Sequence, residues 1–255
     1  MSGFTGEVTN EQPWHSHFLR DHRPLQRILF RTSSMQFVGE WRLPDSDNYF
    51  GRKYGEKLGL YQHKALRIAL SCVVDRRTAV DAGGHIGTSA KLFSSYFERV
   101  ISFEPAHDTF ECLAANMAAF ECNNVECRNQ ALSASPGRAS LVAHERQPGN
   151  VGARSLSKGD DFDVIPLDEL KLSDLGFLKI DAEGAEPLVL QGGENSIRSY
   201  RPVIIFENKG LWSRFGQSEN APQDLLKAWG ASRIHQFADD EVWGWHGHAL
   251  GLVAP

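Results

Sequence analysis

Two patterns of hydrophobic residues alternate along the chain. Short runs of consecutive apolar residues, such as those at 78–82 and 176–182, are typical of strands that are buried on both faces. Between the runs, apolar residues recur at helical spacing, as in the stripe of Phe110, Leu113 and Met117. The runs predict strands at 78–82, 99–105, 125–132, 139–144, 162–167, 176–182, 202–208, 233–238 and 249–254. The helical spacing predicts helices at 54–70, 88–97, 108–120, 188–197 and 222–229, and the polar stretch 148–161 reads as a loop.

Strands that alternate with helices predict right-handed β–α–β connections and an α/β fold with a doubly wound, mostly parallel sheet. Such sheets bind ligands beyond the carboxyl ends of their strands, where the strand order reverses. Polar or acidic residues stand at the ends of five predicted strands, namely Asp81, Glu104, Asn129–Gln130, Asp181 and Glu207–Asn208. A single one of them could be a helix cap, but the whole set indicates a binding site at this edge of the sheet.

Composition and charge narrow the class of protein. The 255 residues carry a formal net charge of −5, which argues against a general nucleic-acid binder. The first 30 residues do not resemble a signal peptide, and the most apolar stretch carries Arg67 and is too short to span a membrane. The 4 cysteines lack metal-binding or redox spacing. We therefore expect a cytoplasmic protein with reduced thiols and no membrane association.

The glycine-rich sequence VDAGGHIG (80–87) leaves a predicted strand and enters a predicted helix, where free backbone N–H groups can face a ligand. One interpretation is the dinucleotide loop G-x-G-x-x-G, but Ala82 replaces its first glycine and Asp81 would repel a pyrophosphate. A ligand with a cationic amino group, such as S-adenosylmethionine, fits better. Asp81 would attract the ammonium of this ligand, while Gly83 and Gly87 leave room for its amino acid portion.

Residues farther along the chain can be assigned to the rest of the same ligand. Glu104 is placed to accept hydrogen bonds from both ribose hydroxyls. Asn129, Gln130 and the small Ala131 could hold the edge of the adenine. His85, inside the glycine loop, is a candidate contact to cofactor or substrate, although loop histidines more often serve packing or backbone hydrogen bonding.

Several motifs together resemble the FkbM-type family of S-adenosylmethionine-dependent methyltransferases, within the Rossmann-like class. They are VDAGGHIGTSA, FEP at 103–105, NQALS at 129–133, and FLKIDAEGAEPLVLQGGE at 177–194 followed by RPVIIFEN. The resemblance covers about residues 55–255. It implies a seven-stranded sheet whose last strand is antiparallel, S-adenosylmethionine as cofactor, and O-methylation of a sugar, glycan or natural-product-like acceptor. We accordingly predict a methyltransferase domain at 53–255, preceded by an extension at 1–52 that shapes the substrate pocket.

Two carboxylates are the candidates for catalysis. In this family architecture the strand that ends in Asp181 lies beside the sulfonium, so Asp181 could contact the reacting centre as well as the cofactor; its alternative role is a helix cap. Glu207 ends the neighbouring strand. Together with Asn208 these two acids offer three oxygen ligands suited to Mg²⁺, which we keep as a second hypothesis for the same place. Lys179 would share a strand face with Asp181 as a charge partner or substrate contact.

Three other functions stay open at this stage. A nicotinamide-dependent oxidoreductase could use the same type of sheet. A partner protein could bind the cofactor without catalysis. A nucleic-acid methyltransferase could use the arginines at positions 20, 23, 27 and 31, although the acidic net charge disfavours this function. The sequence does not indicate an oligomeric state.

Overall fold

The computed structural model describes residues 34–143 and 149–247. Within these ranges the strands are β1 (Met35–Val38), β2 (Trp41–Pro44), β3 (Thr78–Ala82), β4 (Arg99–Phe103), β5 (Val125–Arg128), β6 (Ala131–Leu132), β7 (Gly137–Val142), β8 (Ser155–Ile165), β9 (Phe177–Ile180), β10 (Val203–Glu207), β11 (Ser232–Phe237) and β12 (Asp240–Gly244). The α-helices are α1 (Phe50–Tyr54), α2 (His63–Ser71), α3 (Thr88–Ser94), α4 (His107–Ala119), α5 (Glu186–Gly192), α6 (Glu194–Tyr200) and α7 (Ala221–Ala228). Short 3₁₀ turns lie at Gly55–Leu60, Val151–Ala153, Leu167–Leu170 and Leu211–Phe215.

Seven strands form the central sheet in the order β11-β12-β10-β9-β3-β4-β5. The five strands from β10 to β5 are parallel, whereas β12 runs antiparallel to both β10 and β11. The strand order reverses beside β3, which pairs with β4 on one side and with β9 on the other. This topology confirms the predicted α/β, doubly wound, mostly parallel sheet with an antiparallel last strand.

Helices cover both faces of the sheet, which explains why its central strands are apolar at nearly every position. Phe177 of β9 packs with Phe93 and Phe97 on the face covered by α2 and α3. Its neighbour Leu178 packs on the opposite face with Leu190 of α5. Because successive strand residues point to opposite faces, a strand buried on both sides needs a continuous apolar run.

Two predicted strand boundaries were wrong. The segment 125–132 is not one strand, because β5 ends at Arg128 and β6 joins β8 and β7 in a separate three-stranded sheet. The predicted loop at 148–161 is in part the strand β8, which pairs antiparallel with β7 from Ser155 onward. The strand predicted at 249–254 lies outside the described residues. The antiparallel strand of the central sheet is β12, which the hydrophobic pattern did not predict.

Two predicted helices are interrupted. The helix expected at 54–70 is a 3₁₀ turn followed by α2, because Gln62 adopts a left-handed conformation with φ of 55°. The helix expected at 188–197 is divided into α5 and α6 at Gly193. Adjacent glycines at 192 and 193 lower the helix propensity there.

The hairpin of β1 and β2 packs against α4 through a buried amide. Arg42 N–H donates to Asn116 Oδ1 at 2.8 Å, and Asn116 Nδ2 donates to the carbonyls of Arg42 and Ile86 at 3.0 and 2.9 Å. Asp47 then accepts the N–H groups of Phe50 and Gly51 at the start of α1. These contacts fix the described residues that precede position 53, while the boundary at residue 52 stays a prediction.

The helices described within 34–143 and 149–247 all lack the combination of length and apolar character that a membrane span requires. The arginines at 20–31 and the histidines at 15–17 and 248 lie outside the described residues.

Candidate active site

A cavity of about 470 Å³ opens at the carboxyl edge of the central sheet. Its floor is formed by the ends of β3, β4, β9 and β10, and the segments 49–54 and 150–156 stand on either side. Its volume is in the range of about 300–1,000 Å³ that is usual for small-molecule sites. The predicted site residues that line it are Gly83, His85, Glu104, Gln130, Ala131, Asp181 and Glu207, whereas Asp81, Gly87, Asn129 and Asn208 do not.

The loop between β3 and α3 requires glycines because neighbouring protein atoms, as well as the cavity, leave no room for side chains. A Cβ on Gly83, where φ is +86°, would collide with the backbone carbonyl of Asp181. A Cβ on Gly87, where φ is +95°, would lie 2.7 Å from the Met117 side chain. Gly87 therefore allows α3 to approach α4, and the predicted role of Gly87 as a cofactor contact is not supported by its position.

Asp81 faces the protein interior instead of the cavity. It is fully buried, and its carboxylate accepts hydrogen bonds from Lys179 Nζ and Ser102 Oγ, both at 3.0 Å. Lys179 Nζ also donates to the carbonyl of Gly83 at 2.9 Å and lines the cavity. Asp81 therefore balances the charge of Lys179, which holds the glycine loop against β9, and the contact of Asp81 with a ligand ammonium, directly or through water, stays a prediction.

Glu104 lies in the cavity wall, but protein donors already occupy much of its carboxylate. Oε2 accepts the N–H of His85 at 2.8 Å, and Oε1 accepts the N–H of Ala106 and the hydroxyl of Thr109, both at 2.9 Å. Because a carboxylate offers about four acceptor positions, Oε2 keeps one for a ligand. The hydrogen bonds from both ribose hydroxyls to Glu104 stay a prediction.

Of the residues that follow β5, one stabilises a turn and two line the cavity. Asn129 Nδ2 donates to the carbonyls of Glu104 and Pro105 at 2.9 and 3.0 Å, so this amide fixes the turn that carries Glu104. Its contact with adenine stays a prediction. Gln130 and Ala131 line the cavity, as a contact to the ligand would require.

His85 presents a buried polar atom to the cavity. Its backbone has φ of 48°, and its ring stands edge-on to Phe50 with centroids 4.9 Å apart. Burial lowers the pKa of His85 to about 4, so the imidazole is neutral. Nε2 is buried and has no hydrogen-bond partner among the described residues. A ligand group or a water molecule is needed to satisfy this atom.

Three carboxylates meet at the ends of β9 and β10. One oxygen each of Asp181, Glu183 and Glu207 lies within 4.8 Å of the others. Burial, followed by the charge of Asp181, raises the pKa of Glu207 to about 8. The same two causes raise the pKa of Asp240, which pairs with Glu207 across β10 and β12, to about 6.

Lys209, which the sequence interpretation missed, binds two of these acids. Its Nζ lies 2.7 Å from Glu207 Oε2 and 3.3 Å from Glu183 Oε1. Burial disfavours its ammonium, but Glu183 and Glu207 outweigh burial and raise the pKa of Lys209 above its usual value. The sequence could have indicated Lys209 by its position, because a residue two positions after Glu207 lies on the same side of an extended chain as Glu207.

Asn208 does not join the acidic cluster. Its Nδ2 donates to Glu241 Oε1 at 2.7 Å, and its backbone N–H donates to the carbonyl of Asp239. The ligand set predicted for Mg²⁺, which combined Asp181, Glu207 and Asn208, stays a prediction. The acid that lies with Asp181 and Glu207 is Glu183, and Lys209 contacts Glu183 and Glu207, which disfavours Mg²⁺ at this place.

The turn before α2 forms another wall that contacts the acids. Gln62 Nε2 donates to Asp181 Oδ2 at 3.2 Å. Tyr61 packs edge-on against Phe50 and Tyr54, and burial followed by the charges of Asp181 and Glu207 raises the pKa of Tyr61 well above its usual value. This wall is aromatic toward α1 and polar toward the acidic cluster.

Residues 81–242 match the family described as the methyltransferase FkbM domain. The matched segment begins at the buried Asp81 of β3 and ends within β12, so it contains five strands of the central sheet in full and parts of the other two. The chain belongs to the FkbM methyltransferase family.

The proteins to which this chain is similar are distant from it in sequence. "Methyltransferase 1" of Beauveria bassiana (strain ARSEF 2860) is 27% identical over 145 residues, which are 44% of this chain and 57% of that protein. The FkbM methyltransferase of Methylobacillus flagellatus KT superposes with a TM-score of 0.47 at 16% identity, covering 74% of this chain and 52% of the other. An O-methyltransferase of Bacillus cereus, solved in complex with SAH, gives a TM-score of 0.42 at 15% identity over 79% and 83% of the two chains. The chain thus spans little more than half of the curated relative.

Proposed function

We propose that this chain transfers the methyl group of S-adenosylmethionine to a hydroxyl of a sugar, glycan or natural-product-like acceptor. The observation that carries the proposal is that the segment matching the methyltransferase family builds the cavity at the strand ends. Within that cavity, His85 Nε2 lacks a partner among the described residues, and Glu104 Oε2 keeps an acceptor position. Both atoms suit a nucleoside with amine and hydroxyl groups.

The residues that would hold the methyl donor lie at the ends of β3, β4 and β5. They are Gly83, His85, Glu104, Gln130 and Ala131. S-adenosylmethionine supplies a methyl group activated by its sulfonium, so the protein needs chiefly to align the acceptor and remove a proton.

Asp181 and Glu207 are the groups in this proposal that face the acceptor. Glu207 lines the cavity beside Asp181, and burial raises the pKa of its carboxyl above the usual value, which makes Glu207 the candidate to accept the hydroxyl proton. When bound, S-adenosylmethionine would supply the methyl carbon to the acceptor oxygen and keep the carbon–sulfur electron pair on sulfur, while the Glu207 carboxylate would accept the hydroxyl proton. The aromatic wall of Phe50, Tyr54 and Tyr61 would pack against the apolar face of the acceptor.

A transfer assay with S-adenosylmethionine labelled in the methyl group tests the acceptor class. We expect label in free saccharides or hydroxylated natural products, in a form that resists mild alkali as an ether does. Glu207→Gln should reduce turnover on the order of 10²–10⁴-fold without weakening donor binding. Label that appears only on amines or on carboxyl groups would contradict O-methylation of a hydroxyl.

A further inference from the structure

Every carboxylate of the acidic cluster already has a donor from the protein. Lys209 Nζ contacts Glu207 at 2.7 Å and Glu183 at 3.3 Å. Gln62 Nε2 donates to Asp181 Oδ2 at 3.2 Å, and Lys179 Nζ lies 3.9 Å from the same oxygen. The cluster is therefore a balanced set of acids and donors rather than an open group of acids.

A divalent cation would have to displace this arrangement. Mg²⁺ requires a near-octahedral set of oxygens at about 2.0–2.1 Å, so it would have to lie among the three carboxylates. At that place it would be close to the ammonium of Lys209, and like charges at short range repel strongly. The amide of Asn208, which could complete a ligand set, is bound to Glu241, which is itself 2% exposed.

We propose that Lys209 is the resident cation of this site and takes the place that a divalent metal would occupy. Its ammonium holds Glu183 and Glu207 together at the end of the cavity opposite Glu104 and excludes metal ions from the cluster. The consequence for methyl transfer, that Lys209 positions Glu207 for the acceptor hydroxyl, rests on the proposed function. The exclusion of metal ions does not depend on the proposed function, because it follows only from the contacts of Lys209 with Glu183 and Glu207.

A titration with Mn²⁺ in the absence of any methyl donor tests the inference. Free Mn²⁺ is measured by electron paramagnetic resonance for the full chain and for Lys209→Ala. Removal of the ammonium leaves Glu183 and Glu207 without their contacting cation, so Lys209→Ala should bind Mn²⁺ at least about tenfold more tightly than the unaltered chain. Adding Glu207→Gln to Lys209→Ala should abolish the gain.

Two further variants serve as controls. Lys53→Ala removes a lysine from the same cavity, but Lys53 contacts Tyr49 and Tyr54 instead of the acids, so this variant should bind Mn²⁺ as weakly as the unaltered chain. Lys209→Arg keeps the charge and should continue to exclude Mn²⁺. Circular dichroism checks that each variant is folded, and Lys209→Met, which keeps the apolar stem, replaces Lys209→Ala if the latter unfolds.

The inference is overturned if the unaltered chain binds Mn²⁺ as tightly as Lys209→Ala and loses the ion on Glu207→Gln. It is equally overturned if neither Lys209→Ala nor Lys209→Met gains affinity. Calorimetry with S-adenosylmethionine on the same preparations tests the proposed function separately. A chain that does not bind the methyl donor can still exclude Mn²⁺, and a chain that binds the methyl donor can still fail to exclude Mn²⁺.

Discussion

Replacing Asp81 by asparagine is expected to destabilise the protein strongly, although the side chain keeps its shape. Lys179 is 4% exposed, and Asp81 at 3.0 Å is its nearest counter-charge. Breaking a buried ion pair on one side typically costs about 3–5 kcal/mol, because the remaining charge is left uncompensated. Asp181, at 3.9 Å from Lys179 Nζ, compensates in part, so we expect a loss of about 3 kcal/mol in the free energy of unfolding.

Urea denaturation at neutral pH, followed by circular dichroism, measures this loss. In thermal unfolding the same loss corresponds to a fall in Tm of roughly 6–12 °C for a domain of this size. Asp75→Asn is the matched control, because Asp75 also forms an ion pair, with Arg77 at 2.6 Å, but on the surface. Exposed pairs contribute about 0–1 kcal/mol. If Asp81→Asn costs no more than Asp75→Asn, the account of Asp81 as the counter-charge of Lys179 is wrong.

Two further predictions concern pH and backbone strain. Burial raises the pKa of Glu186 from 4.5 to about 7, so the folded state holds a proton that the unfolded chain releases, and stability falls as pH rises through this interval. Urea titrations at pH 5 and pH 8 measure this difference in stability, and Glu186→Gln should reduce it by about 3 kcal/mol. An unchanged difference between the two pH values would contradict a raised pKa of Glu186. Gly39 has φ of 60° and open space around it, so Gly39→Ala should lower the free energy of unfolding by about 1–2 kcal/mol. Gly83→Ala should lower it clearly more in the same titration, because the added Cβ would meet the carbonyl of Asp181. Equal losses in the two variants would refute the packing argument.

The central sheet could be predicted because its strands are buried on both faces, which leaves a continuous apolar run in the sequence. The strand β9 is such a run, and even its Lys179 is buried. The strand β12 escaped prediction because it is short and carries the buried Glu241, whose carboxylate accepts hydrogen bonds from Asn208 and Gln223 elsewhere in the fold and from Trp243 within the strand. Such compensation is a tertiary property that no local pattern records.

The candidate site was predictable in part for a related reason. The parallel strands bring their carboxyl ends to one edge of the sheet, so it could be predicted from the sequence that Glu104, Asp181 and Glu207 lie at that edge, where they line the cavity. The direction of each side chain depends on partners distant in sequence. Lys179 turns Asp81 inward, and Glu241 takes Asn208 away from the acids. These contacts join residues 98 and 33 positions apart, so the sequence pattern could not reveal them.

Isothermal titration of the full chain with S-adenosylmethionine, with NAD as the competing candidate, tests the central claim most directly. The account predicts that S-adenosylmethionine binds at one site and that NAD does not. It also predicts that Glu104→Ala weakens binding about tenfold or more, by removing the carboxylate at the end of β4. Saturable NAD binding without S-adenosylmethionine binding, or unchanged affinity in Glu104→Ala, would contradict the placement of a methyl donor across these strand ends.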